Sequence, residues 1–184
     1  MSNVKFVGIS GSLRKDSYNT KLLNNVAALL PEEVTMEIVE IRNLPLYDGD
    51  YEEEKRPLVV TEFRKKIAEA DALVFVSPEY NYSIPGGLKN AIDWASRGKD
   101  APIIGKPVSV MSATIGLWGG ARLQLAFLPV FKFLNMFPVS KHEVMVAQAN
   151  QKFDDKGNLL DETTKEIIKQ NLLALKSLTL QLKK

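Results

Sequence analysis

Four side chains in the stretch Gly8 to Asn19, GISGSLRKDSYN, are of the kinds that hold a phosphate. Ser12, Ser17 and Asn19 can donate short hydrogen bonds, and Arg14 a charge-assisted one. A helix opening at Asn19 and Thr20 would turn its free amides and the positive end of its dipole toward the same anion. The glycines of the stretch fall at 8 and 11 only, so it is neither G-x-G-x-x-G nor G-x-x-x-x-G-K-[ST]. Without the Lys-Ser/Thr pair nothing reaches a β/γ-phosphate or holds magnesium in the usual way. That counts against a nucleotide triphosphatase and suits a single terminal phosphate. The same residues also read as an ordinary helix cap at Ser17 or Asn19 beside a solvated Arg14.

A second stretch, SPEYNYSIPGGLKNAIDW, runs from Ser77 to Trp94. Pro78 and Pro85 stiffen it, Gly86 and Gly87 let the backbone turn closely, and Leu88, Ile92 and Ala95 begin a helical stripe. Tyr80 and Tyr82 can stack on or edge a planar ring, and the amides from Glu79 to Asn81 can reach its polar rim. A third stretch, SATIGLWGGARLQ, starts at Ser112 and offers Gly116, Gly119 and Gly120 for close approach beside such a ring, with Trp118 at the flank. As plain turns, the two stretches would carry their tyrosines and Trp118 as surface residues.

The elements that must position these loops follow from periodicity. Strand patterns cover Val4 to Ser10, Thr35 to Ile41, Ala72 to Ser77, Pro107 to Ala113 and Val144 to Ala147. Helix patterns cover Thr20 to Leu30, Val59 to Ala70, Gly87 to Arg97, Gly120 to Leu134 and Thr163 to Leu182. The last opens on a capping box, Thr163 with Glu166, and carries an apolar stripe at Ile168, Leu172, Leu175 and Leu182. Strands alternating with helices imply a doubly wound parallel sheet. The near-continuous apolar runs of the first and third strands mark them as central. The expected fold is α/β, a flavodoxin-like three-layer sandwich with a five-stranded parallel sheet in the order 2-1-3-4-5. Ligands bind beyond the C-terminal ends of strands one and three in this order, where Ser10 to Asn19 and Ser77 to Gly86 lie.

Composition narrows the chemistry. The 184 residues are expected to form one domain, 1–184. A net charge of +2, interspersed, argues against nucleic-acid or membrane partners and for small molecules. With no cysteine and a single His142 there is no thiol redox chemistry and no expected metal site, so redox activity would have to come from a cofactor. The polar loop reached by Ser10 leaves no room for a signal segment, and a cytoplasmic location is expected.

The pair G-S-L-R-K-x-S-x-N and P-E-Y-N-x-S-x-P-G-x-L-K-N-A-I-D-W resembles the NADPH-dependent FMN reductase family, whose members include quinone, chromate and azo-dye reductases. The resemblance implies FMN-phosphate contacts from Ser12, Arg14, Ser17, Asn19 and Thr20. It implies that Pro78, Glu79, Tyr80 and Asn81 line the isoalloxazine with Ser83 at its edge, and that Thr114 and Gly116 belong to a third flavin-side loop. No catalytic side chain is implied: NADPH or NADH would deliver hydride to flavin N5 and leave. A quinone, azo compound, chromate or free flavin would then take the electrons in ping-pong order. Arg14, Lys15 and Arg97 are charges available for the dinucleotide phosphates. The family resemblance also implies a homodimer or homotetramer, and ARLQLAFLPVFKFLNMF, apolar nearly all round its helix, places the interface near 120–134. Deep burial inside the monomer would explain the same pattern. Leu125 and Ala126 stand where some relatives carry larger polar or aromatic residues that tie subunits together, and Pro129 should kink the helix.

Two other classes fit parts of the pattern. A flavodoxin-type FMN electron carrier would lack its own NAD(P)H site, and the near-neutral charge and apolar fourth helix count against it. A flavin-free dinucleotide-binding or regulatory domain would use Glu37 or Glu40 as a ribose-binding acid.

Overall fold

β3 (Ala72–Val76) reads ALVFV and buries all five side chains, and β1 (Val4–Ser10) pairs with it in parallel and is nearly as fully covered. Strands apolar on both faces need a layer on each side. The computed structural model, which describes residues 3–52 and 55–183, has both layers. Phe6, Val74 and Val76 pack with Leu22 and Leu23 of α1 (Tyr18–Ala28) and Ile168 and Leu172 of α5 (Glu162–Leu182). Val7, Ile9, Leu73 and Phe75 belong to the opposite layer, built by α2 (Leu58–Glu69), α3 (Gly86–Ser96) and α4 (Ala121–Phe133). The division follows the strand period of two. Phe75 stacks on Phe127 and Phe127 on Phe131, with ring centroids 5.8 and 5.1 Å apart, so β3 and α4 share one aromatic column.

The sheet runs β2 (Val34–Ile38), β1, β3, β4 (Pro107–Ala113), all parallel. Its fifth position confirms the expected order and corrects one boundary. An unexpected short strand, β5 (Phe137–Pro138), lies beside Pro107 and Val108, and the expected strand Val144 to Ala147 follows it as β6 (Val144–Val146) beside Met111 to Ala113. Pro138 has no N–H with which to extend a ladder. The chain leaves β4 after Val139 and passes His142, at φ 62°, before pairing resumes.

α1 to α5 begin and end close to their expected limits. α4 runs on through Pro129, which lies on an exposed side. The start of α5 is a correction. Its cap is Asp161, whose carboxylate accepts from the Thr164 amide at 3.2 Å and from the Thr164 hydroxyl. The expected box between Thr163 and Glu166 does not form: with Asp161 as the cap, Thr163 lies inside the helix, and Glu166 accepts from Gln170 one turn on, at 3.1 Å. Farther along α5, Ser109 on β4 donates to Asn171 at 2.6 Å, and Asn171 donates to the His142 carbonyl at 3.0 Å. These bonds fix α5 against the sheet. The C-terminal ends of β1, β3 and β4 therefore open on one edge, and the three loops singled out above emerge there together.

The Asp161 carboxyl is held below the usual carboxylate range, first by the Thr164 hydroxyl and then by Lys152, whose ammonium lies 2.9 Å away. A depressed folded pKa means stability that is fully present above the unfolded value and is lost as pH falls through the folded one. Asp161→Ala should therefore lower the unfolding free energy by about 1 kcal/mol at neutral pH. The difference should fade below about pH 4. Urea denaturation of both proteins across that range measures it.

Candidate active site

In the loop after β1, the Gly11 amide donates to the Val76 carbonyl at 2.8 Å. A Cβ on Gly11 would stand 2.2 Å from Ser77 Oγ, so the close approach of this loop to the end of β3 demands glycine. Ser17 caps α1, its Oγ accepting from the Asn19 amide at 3.1 Å, and Ser12 Oγ accepts from the Arg14 amide at 3.3 Å. Each hydroxyl thus spends a lone pair on the backbone and keeps its O–H free to donate. Both serines are buried. Thr20 Oγ1 lies 2.9 Å from Ser10 Oγ, which also accepts from the Ser12 amide at 3.3 Å.

The Asn19 side chain is directed across the site. It donates to the Ala113 carbonyl and accepts from the Ala113 amide, both at 2.9 Å, keeping one N–H of its Nδ2. Arg14 and Lys15 are exposed and form no ion pair among the described residues, and the first turn of α1 holds no acid. A cleft of 250 Å³ separates this loop from Ile38 to Arg42, and the Arg42 guanidinium donates to the Leu13 carbonyl at its rim. Free hydroxyl donors, open helix amides and unpaired cations form a cradle whose chemistry suits a phosphate dianion.

The loop after β3 folds into a two-residue reverse turn. Tyr80 donates to Ser83 at 3.1 Å and Ser83 to Tyr80 at 2.9 Å, with Asn81 at φ 50° and Tyr82 at φ 62° between them. Asparagine tolerates this left-handed region, but tyrosine is strained there by about 1–2 kcal/mol. Pro78 and Glu79 are half-buried, while Tyr80 to Ser83 are exposed. Glu79 Oε2 accepts from the Leu123 amide at 3.0 Å, so its carboxylate caps α4. Gly120, at the formal N-cap of α4, has no side chain to do so. A carboxylate at the positive end of a helix is favourable, and this one latches the β3 loop to α4.

In the loop after β4, the Thr114 amide donates to Val146 at 2.9 Å, and its hydroxyl reaches the Gly116 carbonyl at 3.4 Å. A Cβ on Gly116 would meet nothing within 4 Å, so the space beside it is open. Gly120 differs from the expectation of approach to a ring. At φ 93°, its Cβ would sit 2.6 Å from Ser112 Oγ, and Ser112 donates to the Gly119 carbonyl at 2.5 Å. Gly119 is likewise pressed against Met145, so this pair turns the chain tightly against β4 and β6. Trp118 is exposed, and the Arg122 guanidinium lies over both its ring and that of Tyr82.

One set of contacts lay outside the sequence reading. Asn90 on α3 accepts from the Tyr47 amide at 2.7 Å and donates to the Pro45 carbonyl at 2.8 Å, which Trp94 Nε1 also reaches at 2.8 Å. Tyr47 meets the Trp94 ring edge-on at 5.0 Å, and Arg97 lies over Tyr47 at 5.7 Å. Asn90, Trp94 and Arg97 thus clamp the segment after β2, and Arg97 is engaged there. Their i, i+4, i+7 spacing was the available signal.

The parallel order, with helices on both faces of the sheet, defines a flavodoxin-like protein, whose crevice lies at the ends of β1 and β3. Residues 4–151 match the family model of NADPH-dependent FMN reductase, and the chain belongs to that family. It is 44% identical over 173 residues to the NAD(P)H-dependent FMN reductase PA1204 of Pseudomonas aeruginosa, covering 94% of each chain. It is 43% identical over 185 residues to an NADPH:quinone oxidoreductase of Arabidopsis thaliana, covering 97% of this chain and 93% of that one. Among solved structures it is similar to FerB, a flavoenzyme NAD(P)H:(acceptor) oxidoreductase from Paracoccus denitrificans. The TM-score is 0.86 at 29% identity, covering 97% and 98% of the two chains.

Replacing Glu79 tests the latch. Glu79→Ala should destabilise the protein by about 1 kcal/mol and speed hydrogen exchange at the Leu123 amide. Glu79→Gln, which still accepts a hydrogen bond, should recover part of both. Equal exchange in all three proteins would show that the cap does not hold α4.

Proposed function

We propose that this protein is an FMN-dependent NAD(P)H oxidoreductase acting on quinones, azo compounds, chromate or free flavin in ping-pong order, as one flavodoxin-like domain. The observation that carries the reading is the cradle after β1, where Ser12 and Ser17 keep free O–H donors beside unpaired Arg14 and the acid-free start of α1. Those groups, with Thr20 and the remaining N–H of Asn19, would hold the FMN phosphate. Bound FMN supplies the two-electron redox chemistry, accepting hydride from NADPH or NADH and yielding electrons to the acceptor.

The chain's own part is orientation. The backbone of Pro78 to Asn81 and the exposed Tyr80 and Ser83 would border the ring on one side, and Thr114 and the open space at Gly116 on the other. The turn bonds between Tyr80 and Ser83, and the Glu79 latch, keep those amides fixed. Donor and acceptor would use the same crevice in turn, hence the ping-pong order.

Assembly into a homodimer or homotetramer belongs to the same reading. α4 buries Leu123, Phe127 and Phe131 against the sheet, yet Leu125, Leu128 and Phe133 stand 63%, 54% and 79% exposed. Deep burial within the monomer therefore does not account for its apolar character, and a second copy would. Among the described residues no helix is long and apolar enough to cross a membrane, and a cytoplasmic place for the enzyme is part of the proposal.

The purified protein should carry a flavin spectrum that NAD(P)H bleaches anaerobically; a flavin that stays oxidised would instead indicate an electron carrier. Initial rates with a quinone should give parallel double-reciprocal lines, and intersecting lines would exclude ping-pong order. Arg14→Ala should weaken FMN retention by about tenfold or more with the fold intact, and unchanged flavin affinity would remove Arg14 from the site. Leu125→Asp should shift the assembly toward monomer in sedimentation.

A further inference from the structure

Asn19, in the first turn of α1 behind the Ser17 cap, is buried, and its carboxamide is committed to one residue of another element. Oδ1 accepts from the Ala113 amide and Nδ2 donates to the Ala113 carbonyl, both at 2.9 Å. Among the described residues these are the only hydrogen bonds between α1 and β4. Ala113 is the last residue of β4, and Thr114 opens the loop that would border the flavin ring. On the β6 side that loop is pinned by main-chain bonds: the Thr114 amide to Val146 and the Ala149 amide to Thr114, each at 2.9 Å, and the Gln148 amide to Gly116 at 3.1 Å. On the β3 side the neighbouring strand has ended at Val76, and Asn19 takes its place.

The backbone of the same residue belongs to the cradle. The Asn19 amide donates to Ser17 Oγ at 3.1 Å, so the side chain that holds Ala113 springs from the helical turn that a phosphate would restrain. Order imposed on this turn by one ligand need not be imposed again by the next, and that saving is a coupling between sites. We infer that Asn19 is a positioning residue that couples the two halves of the cofactor site: a phosphate at the start of α1 tightens the hold of the loop after β4 on a flavin ring. By linkage the ring tightens the hold on the phosphate by the same factor. The inference rests on the FMN reading above and adds to it an energy passed between the two subsites.

Dividing FMN into inorganic phosphate and riboflavin, which has the ring but no phosphate, tests it. Titrated into the flavin-free full chain, riboflavin should bind about 5- to 150-fold more tightly in saturating phosphate than in chloride of equal ionic strength, the usual span of coupling between two sites. FMN, which brings its own phosphate, should be weakened by the same addition. Phosphate without flavin should slow hydrogen exchange at the Ala113 amide. In Asn19→Ala the riboflavin affinity should be the same with and without phosphate, whereas a purely structural role would weaken both and leave their ratio at the wild-type value. Should that variant not fold, slower exchange at the Ala113 amide, which Asn19 accepts, still assigns the coupling to this bond, and an exchange rate that phosphate leaves unchanged overturns it. A wild type that binds FMN but whose riboflavin affinity ignores phosphate overturns the inference, as does an Asn19→Ala protein that keeps the wild-type ratio. A wild type that binds neither flavin sinks the FMN reading itself, and this inference with it.

Discussion

The mouth of the sheet depends on a side-chain amide acting as backbone. β3 ends at Val76, and its last ladder contact to β4 is the Ser77 amide on the Met111 carbonyl. β4 continues to Ala113, whose N–H and C=O on that side are left without a strand. Asn19 takes both at 2.9 Å, from 94 residues away. Each group left unpaired in this buried place would cost about 1–3 kcal/mol. The early end of β3 opens the crevice, and Asn19 satisfies the polar groups that this exposes. The same bonds fix the start of α1, and with it Ser17 and the loop that carries Ser12 and Arg14.

A second latch carries this rigidity across the crevice. Glu79 joins the loop after β3 to α4, and α4 is anchored below by Phe127 between Phe75 and Phe131. The loop after β1 is also tied to β3 through the Gly11 amide. The three loops are therefore bonded to one another or to shared elements, by long-range polar contacts that the apolar core alone would not specify. Such mutual restraint is what lets a strained tyrosine persist in the turn at Asn81 and Tyr82.

This division also explains what was legible in the sequence. β1 and β4 matched their expected limits, and β3 to one residue, because apolar runs between polar loops are local signals. The order 2-1-3-4-5 followed from the number and alternation of elements, and it put the three loops on one edge. β6 matched its expected limits to one residue, but β5 was not legible, because a pair of residues carries no period. The cap of α5 was misplaced because Thr163 and Asp161 are both good capping types, and only the inward turn of Thr164 chooses between them. The partners of Asn19, Glu79 and Asn90 were beyond reach for a different reason. Each contact joins segments distant in sequence, and the residue type alone shows a capacity for hydrogen bonding without its destination.

Two helices that begin at the crevice differ in one electrostatic respect. α1 starts with the neutral cap Ser17, which takes the Asn19 amide, and has no acid in its first turn, so its positive end meets no charge of the chain's own. α4 starts at a glycine without a side-chain cap, and a carboxylate of the chain itself, Glu79, takes the amide of Leu123. The positive end of α1 is thus open and that of α4 is at least partly neutralised from within. An anion would therefore be held more strongly at the start of α1, where helix dipole and hydroxyls act together, than at the start of α4. On the β4 side the Arg122 guanidinium lies over the Tyr82 and Trp118 rings. The crevice is therefore polarised along the sheet, with the unneutralised dipole of α1 beside free hydroxyls at one end and a helix start capped by the chain's own carboxylate at the other.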